Sequence, residues 1–344
     1  MEKITMQHIA DMLGISRVTV WKVLNNRPGV SKKLRDKVLL AAIETGYIKN
    51  GEGVKQLTDV NNIADTQKTV SVVISRTNPS TFWFNIIHAL AKELDKCGIN
   101  LMYNYIPSNY YQGYTLPDVL SNRKVAGMII INVYDDQLLS MLNDLNIPKV
   151  FLDVASDFSI AKITGDLIIL EGRKTVKTIT NEIISKGRTE IGFIGDIHYA
   201  LTNKERFEGY VAAMKENNLE IQEKYCMTGR IGIYSYYEEI SSFLDSLDKL
   251  PEAFVCASDF VANYLMQYLT EHGYKVPEDI AISGYDGNTE YAMVSGKLTT
   301  VNVDTLHLGK RLAKQLLYRM EYPKSPIEIT HIRSDIVWGK STDF

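Results

Sequence analysis

The chain has 344 residues, of which 45% are hydrophobic and 23% charged, with 38 Lys and Arg against 41 Asp and Glu. This is the composition of folded globular protein, long enough for two or three units with cores of their own, and it excludes both a disordered chain and a small disulfide-stapled one. The charge is uneven: residues 1–50 hold nine basic side chains against four acidic ones, while the remainder is net acidic, so a polyanionic partner is expected for the head alone.

No apolar run approaches a membrane span and no signal-like segment opens the chain. A cytoplasmic protein without a membrane partner is therefore expected. Cys97, Cys226 and Cys256 lack CxxC spacing and read as three buried thiols in a reducing compartment. The six histidines are scattered, so neither a metal nor a cofactor is expected.

In chain order, Thr5 is placed to cap a first helix over MQHIADML, and Gly14 follows where the chain must turn. Ser16 is placed to cap a second helix, with Ala10 small enough for the two helices to cross closely. Ile9, Leu13, Ile15, Val20 and Val23 close the core beneath them. The Ala-x3-Gly-x5-Val-x2-Val spacing is that of a DNA-binding helix-turn-helix. A third amphipathic helix runs from Ser31 as cap to about Thr45.

Helical spacing puts Arg17, Val18, Trp21, Lys22 and Asn25 on the outer side of the second helix. In a major groove, Arg17 can donate two hydrogen bonds to a guanine, Val18 can touch a thymine methyl, and Lys22 can reach a guanine or a phosphate. Thr5, Ser16, Thr19, Asn25 and Ser31 are candidate phosphate or positioning contacts. Trp21 either packs on the sugar-phosphate backbone or is partly buried against the third helix.

The run ITMQHIADMLGISRVTVWKVLNNRPGVSKKLRDKVLLAAIETGYIKN resembles the headpiece of the LacI/GalR family of bacterial transcription regulators, through VLNN, Val30-Ser31 and Gly46-Tyr47-x-x-Asn50. The resemblance implies base reading by Arg17, Val18 and Lys22, and it adds Tyr47 and Asn50 to the DNA-facing candidates. Trp21 departs from it, standing where the family usually has a small serine. A polar linker follows over residues 50–68. There the family carries a hinge helix whose leucine wedges into the minor groove. Leu57 is the candidate wedge, although Lys49 replaces a proline and Gly51 and Gly53 weaken a helix by about 1 kcal/mol each. Disorder in the absence of DNA is the expectation for this segment.

From Thr69 strands and helices alternate: strands near 70–75, 100–105, 126–132, 149–153, 190–196, 252–258 and 280–286, with amphipathic helices between them. The pattern predicts two βα-repeated halves, each a parallel doubly wound sheet, with a ligand site beyond the strand ends in the cleft between lobes. KGRTEIGFIGD, RFEGY, GYKVPEDIAISGYD and LTTVNVD extend the family resemblance over this body, implying an effector domain with the fold of periplasmic sugar-binding proteins. The expected organisation is a headpiece over 1–49, the linker, and an effector and dimerisation domain over 69–340. Its N-terminal lobe takes about 69–165 and 303–326, and its C-terminal lobe about 166–302 and 327–340. No phosphate-binding loop or nucleophile elbow follows a strand, so an enzyme is not expected.

Phe82 and Trp83 follow the first strand as cleft-wall aromatics able to stack on a sugar or a base, whereas Phe84 reads as core. The resemblance implies that Phe82 and Trp83 line an effector site. It implies further that Asp286 accepts effector hydroxyls, that Arg206 and Lys204 lie near the effector, and that Ser258 and Asp259 replace an Asn-Asp pair. Asp153 is a further polar candidate. The expected function is a transcriptional repressor of carbohydrate genes whose affinity for a roughly palindromic double-stranded operator is set by a sugar-like effector. A purine effector or a protein co-regulator is the alternative. Without C-terminal leucine heptads, a homodimer is expected.

Overall fold

The computed structural model describes residues 4–25, 27, 29–45, 47, 68–75, 80–232 and 234–344. These belong to two compact units, Met1–Gln67 and Lys68–Phe344. Asn50, Leu57 and the linker before Lys68 lie outside the described residues.

The first unit contains α1 (Met6–Leu13), α2 (Arg17–Leu24) and α3 (Lys32–Glu44). Thr5 and Ser16 begin the first two as expected: their hydroxyl oxygens accept the His8 and Thr19 backbone N–H groups at 3.3 and 3.1 Å, satisfying donors that have no partner within the helix. Gly14 reverses the chain at φ +64°, a left-handed conformation that favours glycine. Ile9, Ala10, Val20 and Val23 meet Val38, Leu39, Ala41 and Ala42 of α3 in a small core, with Leu13, Ile15 and Tyr47 packed on it. Arg35 of α3 donates to the Arg27 carbonyl at 2.7 Å, tying down the turn after α2.

The second unit begins with β1 (Thr69–Ile74), α4 (Thr81–Asp95), β2 (Asn100–Tyr105), α5 (Asp118–Ser121), β3 (Gly127–Ile131), α6 (Asp136–Asn143), β4 (Lys149–Leu152) and β5 (Asp166–Leu170). It continues with α7 (Arg173–Ser185), β6 (Ile191–Ile194), α8 (Leu201–Glu216), β7 (Cys226–Met227), α9 (Tyr236–Asp245), β8 (Ala253–Cys256), α10 (Asp259–Glu271) and β9 (Ala281–Ser283). It closes with β10 (Thr300–Asn302), α11 (Thr305–Glu321), β11 (Ile329–Ile332) and β12 (Asp335–Val337). Two parallel sheets result, ordered β11-β5-β4-β3-β1-β2 and β7-β6-β8-β9, with β10 and β12 paired antiparallel. The inner strands of the first sheet are near-continuous apolar runs because helices cover both faces, whereas its edge strands β2 and β11 are largely exposed. On one face of the first sheet Val70, Val72, Ile129 and Ile131 pack with Ile86 and Leu90 of α4 and Leu312 and Leu316 of α11. On the other, Val73, Ile130 and Phe151 pack with Leu138 and Leu142 of α6.

The lobe boundaries differ from those expected at about 165 and 326. Asp166–Leu170 pairs with β4, and Ile329–Ile332 pairs with it in turn, so both strands belong to the N-terminal lobe. The cause is a buried ionic clasp. Asp166 accepts from Arg319 Nε at 3.1 Å, Gln315 Nε2 at 2.8 Å and the Glu328 N–H at 2.9 Å, fixing α11 and the approach to β11 against the start of β5. Close packing of α11 on α4 needs Gly309, where a Cβ would stand 2.3 Å from the Ile86 carbonyl oxygen. The thiols differ from expectation too: Cys256 is buried, Cys226 is half-buried and Cys97 is exposed.

Candidate functional site

In the headpiece, α2 presents Arg17, Val18 and Trp21 outward, with Val18 61% and Trp21 44% exposed. Lys22 and Thr19 are half-buried beside them, and Thr5, Ser16, Asn25 and Ser31 are exposed. The same helix buries Val20 and Val23, so an apolar inner stripe holds a basic and aromatic outer one. Asn25 Nδ2 donates to the Trp21 carbonyl at 3.0 Å, which closes the helix end. Ser16 Oγ lies 2.8 Å from Thr19 Oγ1 while it accepts the Thr19 N–H. Tyr47 packs against the headpiece core.

The second unit encloses a cavity of about 720 Å³ lined by both lobes. Three strand ends each deliver a polar residue to it: Asn132 after β3, Asp153 after β4 and Asp286 after β9. Each has a positive φ, +56°, +63° and +119° respectively. Asn and Asp are the side chains that tolerate this region best, and such backbone strain collects where ligands bind.

Asp153 is buried, and its carboxylate is filled by protein donors: Thr202 Oγ1 at 2.6 Å, Tyr134 OH at 3.3 Å and the Val154 N–H at 2.9 Å. Burial raises its pKa, against the pull of the Thr202 and Val154 hydrogen bonds. Arg206, on α8, is 4% exposed. Its guanidinium lies 3.6 Å from the Tyr285 ring centroid, and Nη1 donates to the Ala257 carbonyl at 2.5 Å. Nη2 stands 3.5 Å from Asp286 Oδ1, a loose contact, and buried Nε has no hydrogen-bond partner. Burial raises the pKa of Asp286; Arg206 opposes the rise and the Asp259 carboxylate adds to it. Asp286 and Arg206 both line the cavity, with the Arg206 Nε sealed from solvent behind its wall.

Phe82 and Trp83 both line the cavity. They meet edge to face at 5.0 Å and 86° in the first turn of α4, with Phe82 anchored in the core and Trp83 half-buried. Phe84 corrects the expectation of a core residue: it is 66% exposed and stacks on His88, because the helix begins at Thr81 and turns that position outward. Ser258 lines the cavity while its Oγ caps α10 through the Val261 N–H at 3.3 Å. Asp259 and Lys204 do not line it. Asp259 is 1% exposed and accepts from Thr300 Oγ1 at 2.6 Å and the Asn288 N–H at 2.7 Å, which secures the turn carrying Asp286. Lys204 points to a partly exposed ion pair with Asp157 at 3.8 Å.

Sequence reasoning missed much of the aromatic wall: Tyr134 and Tyr199, 4.4 Å apart, and Tyr236, Phe260, Tyr264 and Tyr291. Phe260 and Tyr264 have the i,i+4 spacing of a buried helix stripe. The signal against a core reading is the polar Gln267, one further turn along, on the same face.

Among the described residues no helix is long and apolar enough to cross a membrane, and no group of three or more His, Cys, Asp or Glu is placed to hold a metal ion.

Residues 5–50 match the family described as bacterial regulatory proteins, lacI family, and residues 180–342 match a periplasmic binding protein-like domain. A protein of Mannheimia succiniciproducens named HTH-type transcriptional repressor PurR is 24% identical over 98% of both chains. A protein of the same name from Actinobacillus pleuropneumoniae is 28% identical over 93% of this chain and 92% of its own. In fold the chain is similar to a transcriptional regulator CelR–cellobiose complex, with a TM-score of 0.67 at 22% identity over 98% of this chain and 99% of that one. It is equally similar to a lac repressor dimer bound to operator and the anti-inducer ONPF, with a TM-score of 0.67 at 23% identity over 99% of both chains.

Proposed function

As the chain belongs to the lacI family of bacterial regulatory proteins, which are DNA-binding transcriptional repressors, we propose that its operator affinity is set by a sugar-like effector bound in the cleft between the lobes. The observation that carries this reading is the Asp286–Arg206 pair. The two stand 3.5 Å apart, and Arg206 Nε is buried without a partner. A sugar hydroxyl is donor and acceptor at once, so it can donate to the carboxylate and accept from the guanidinium, replacing one loose contact by two charge-assisted hydrogen bonds. Trp83 supplies an aromatic surface for the ring's C–H face.

A purine is the second reading, favoured by the same aromatic walls. It offers the Asp286 carboxylate fewer hydrogen-bond donors than a polyhydroxylated sugar does.

The α2 surface supports operator recognition in the major groove, with Arg17, Val18 and Lys22 reading bases and Thr5, Ser16, Thr19, Asn25 and Ser31 as phosphate or positioning groups. Trp21, with 44% of its surface free, packs on the sugar-phosphate backbone. A homodimer fits the edge of the first sheet among the described residues, where Tyr103 and Tyr105 of β2 are 54% and 48% exposed and Phe84 of α4 is 66% exposed. An edge so apolar calls for a partner, and twofold pairing would suit a roughly palindromic operator. Effector binding closes the cleft and shifts the headpieces out of operator spacing, provided the closed state binds effector more tightly than the open one.

The test is operator binding by gel shift, with an operator selected from random duplexes and a titration of mono- and disaccharides and purines. Release by a sugar supports the reading. Release by purines alone overturns it in favour of the second. For the headpiece, Arg17→Ala should cost about 1–3 kcal/mol on the selected operator and relax specificity at one base pair; equal binding of the wild type to all duplexes would remove the headpiece assignment.

A further inference from the structure

Trp21 is the one aromatic side chain of α2, and its position around the helix axis places it among the base-facing residues. At about 100° per residue, with Arg17 at zero, Trp21 falls at about 40°, Val18 at about 100° and Lys22 at about 140°. The buried Val20 and Val23 stand at about 300° and about 240°. Trp21 therefore lies between Arg17 and Val18 around the axis, one turn further along. Helical side chains lean towards the N-terminus, so the indole covers the turn from which Arg17 and Val18 project. A helix that puts those two into the major groove puts Trp21 there with them.

Val18 and Trp21, 61% and 44% exposed, have the i,i+3 spacing of neighbours on a helix surface. Together they form an apolar pair beside the basic Arg17 and Lys22. An indole has one N–H donor and no acceptor. The base edges of the major groove offer such a surface one apolar group, the C5-methyl of thymine. That methyl stands beside C6, on the side of the base nearest its own sugar. A ring packed on the sugar-phosphate backbone from the second turn of α2 therefore meets it. Backbone contact alone carries no sequence information; contact with the methyl does.

Resting on the reading of α2 as the recognition helix, we propose that Trp21 is a specificity-determining residue, which with Val18 reads the methyl groups of two thymines in each half-site. Side chains at this spacing are about 5–6 Å apart at Cβ, and successive bases of a strand about 3.4 Å. The two thymines are therefore one or two base steps apart. Arg17 and Lys22, on either side of the pair, read or hold the polar groups next to them.

The test uses the full chain and the operator selected from random duplexes, with each thymine replaced in turn by deoxyuridine, symmetrically in both half-sites. Deoxyuridine keeps every hydrogen-bonding group of thymine and lacks only the methyl. Wild-type affinity should fall about fifteenfold at each of two positions, which is roughly 0.8 kcal/mol for one buried methyl in each half-site. Trp21→Ser should lose that sensitivity at one of the two positions and keep it at the other, and Val18→Ser should do the reverse. The sensitivity is a ratio between two duplexes for one protein, so a uniform loss of backbone contact or of folded protein cancels from it. A wild-type ratio within twofold at every thymine would overturn the proposal. So would a Trp21→Ser protein whose ratios match the wild type at every sensitive position, which would leave Trp21 as a backbone contact. Equal binding of the wild type to selected and random duplexes would instead overturn the recognition-helix reading itself.

Discussion

Glu290 of the C-terminal lobe caps the first helix of the N-terminal lobe: its carboxylate accepts the Thr81 backbone N–H at 2.8 Å and Ser80 Oγ at 2.8 Å. Ser80 lines the cavity, and Asn288, beside it on the other lobe, donates to the same carboxylate at 2.7 Å. An anion at a helix N-terminus is stabilised by the unpaired N–H groups and the helix dipole. Burial alone would raise the pKa of Glu290, but the donors from Thr81, Asn288 and Ser80 outweigh it and hold the pKa below the ordinary value. The clasp is therefore complete above the ordinary glutamate range and weakens as the pH falls through the lowered value. Because it joins the lobes, Glu290→Ala should favour the open cleft and weaken effector binding by about five- to thirtyfold, matching the roughly 1–2 kcal/mol of a lost cap. Calorimetry with the operative effector measures this. An unchanged Kd would mean that the clasp does not contribute to closure.

Asp286 should separate effector response from DNA binding. Asp286→Asn keeps the shape and removes the charge that opposes Arg206, so effector affinity should fall at least tenfold while the operator Kd without effector stays within twofold. The raised pKa of Asp286 gives a second readout. Its acceptor form is lost at a higher pH than for an ordinary aspartate, so effector affinity should drop on mild acidification. Folding stability carries the opposite sign: the unfolded carboxyl ionises first, so the buried charge is a cost at neutral pH that disappears as the pH falls. Fluorescence titration between pH 5 and 8 would show the affinity change, and a flat profile in the wild type would show that the Asp286 carboxyl stays ionised throughout this range.

What was legible in the sequence was local. Thr5, Gly14 and Ser16 act within a few residues of themselves, as caps and a turn, so their types and spacing were sufficient. Asp153 and Asp286 were legible because they end apolar strand runs. Asp259 was misjudged because its partner, Thr300, comes from a strand 41 residues away, and nothing in its neighbourhood says which way the carboxylate faces. Asp166–Leu170 was assigned to the wrong lobe for the same reason: the residues that recruit it, Gln315, Arg319 and Glu328, are all distant in the chain. The Phe260 cluster was hidden because an i,i+4 aromatic pair looks the same whether it faces a core or a cavity.

The Asp166 clasp should dominate the stability of the N-terminal lobe. Asp166 is 1% and Arg319 5% exposed, and Arg319 also donates to the Ser325 and Pro326 carbonyls at 2.7 Å each. Removing one partner strands a buried charge, so Asp166→Ala should destabilise the domain by about 3–5 kcal/mol. The double variant Asp166→Ala, Arg319→Met should recover part of that loss, because both charges are gone. Urea unfolding followed by tryptophan fluorescence tests both. A loss below about 1 kcal/mol for the single variant, within the range of exposed ion pairs, would show that the clasp is not holding β5 and α11 together.

Lys149, at the start of β4, is 2% exposed, with its ammonium enclosed by acceptors: the Asn143 carbonyl at 2.6 Å, the Leu145 carbonyl at 2.5 Å and Thr164 Oγ1 at 2.9 Å. Burial lowers its pKa from the ordinary 10.5 to about 8, with Asp144 pulling weakly the other way. Here the folded value lies below the unfolded one. Below pH 8 the side chain is charged in both states, and the cost of burying that charge is felt in full. Between about 8 and 10.5 the unfolded chain retains a proton that the folded chain has lost, so this group makes stability rise with pH. Allowing for residual solvation, the gain is about 1–2 kcal/mol. Lys149→Met cannot titrate, so the stability difference between wild type and variant should grow in favour of the wild type by that amount from pH 7.5 to 10. Paired urea melts at each pH isolate this difference from the tyrosines and other lysines, which the two proteins share. A difference that stays constant across the range would mean that Lys149 keeps its proton in the fold, with its three acceptors compensating fully for burial.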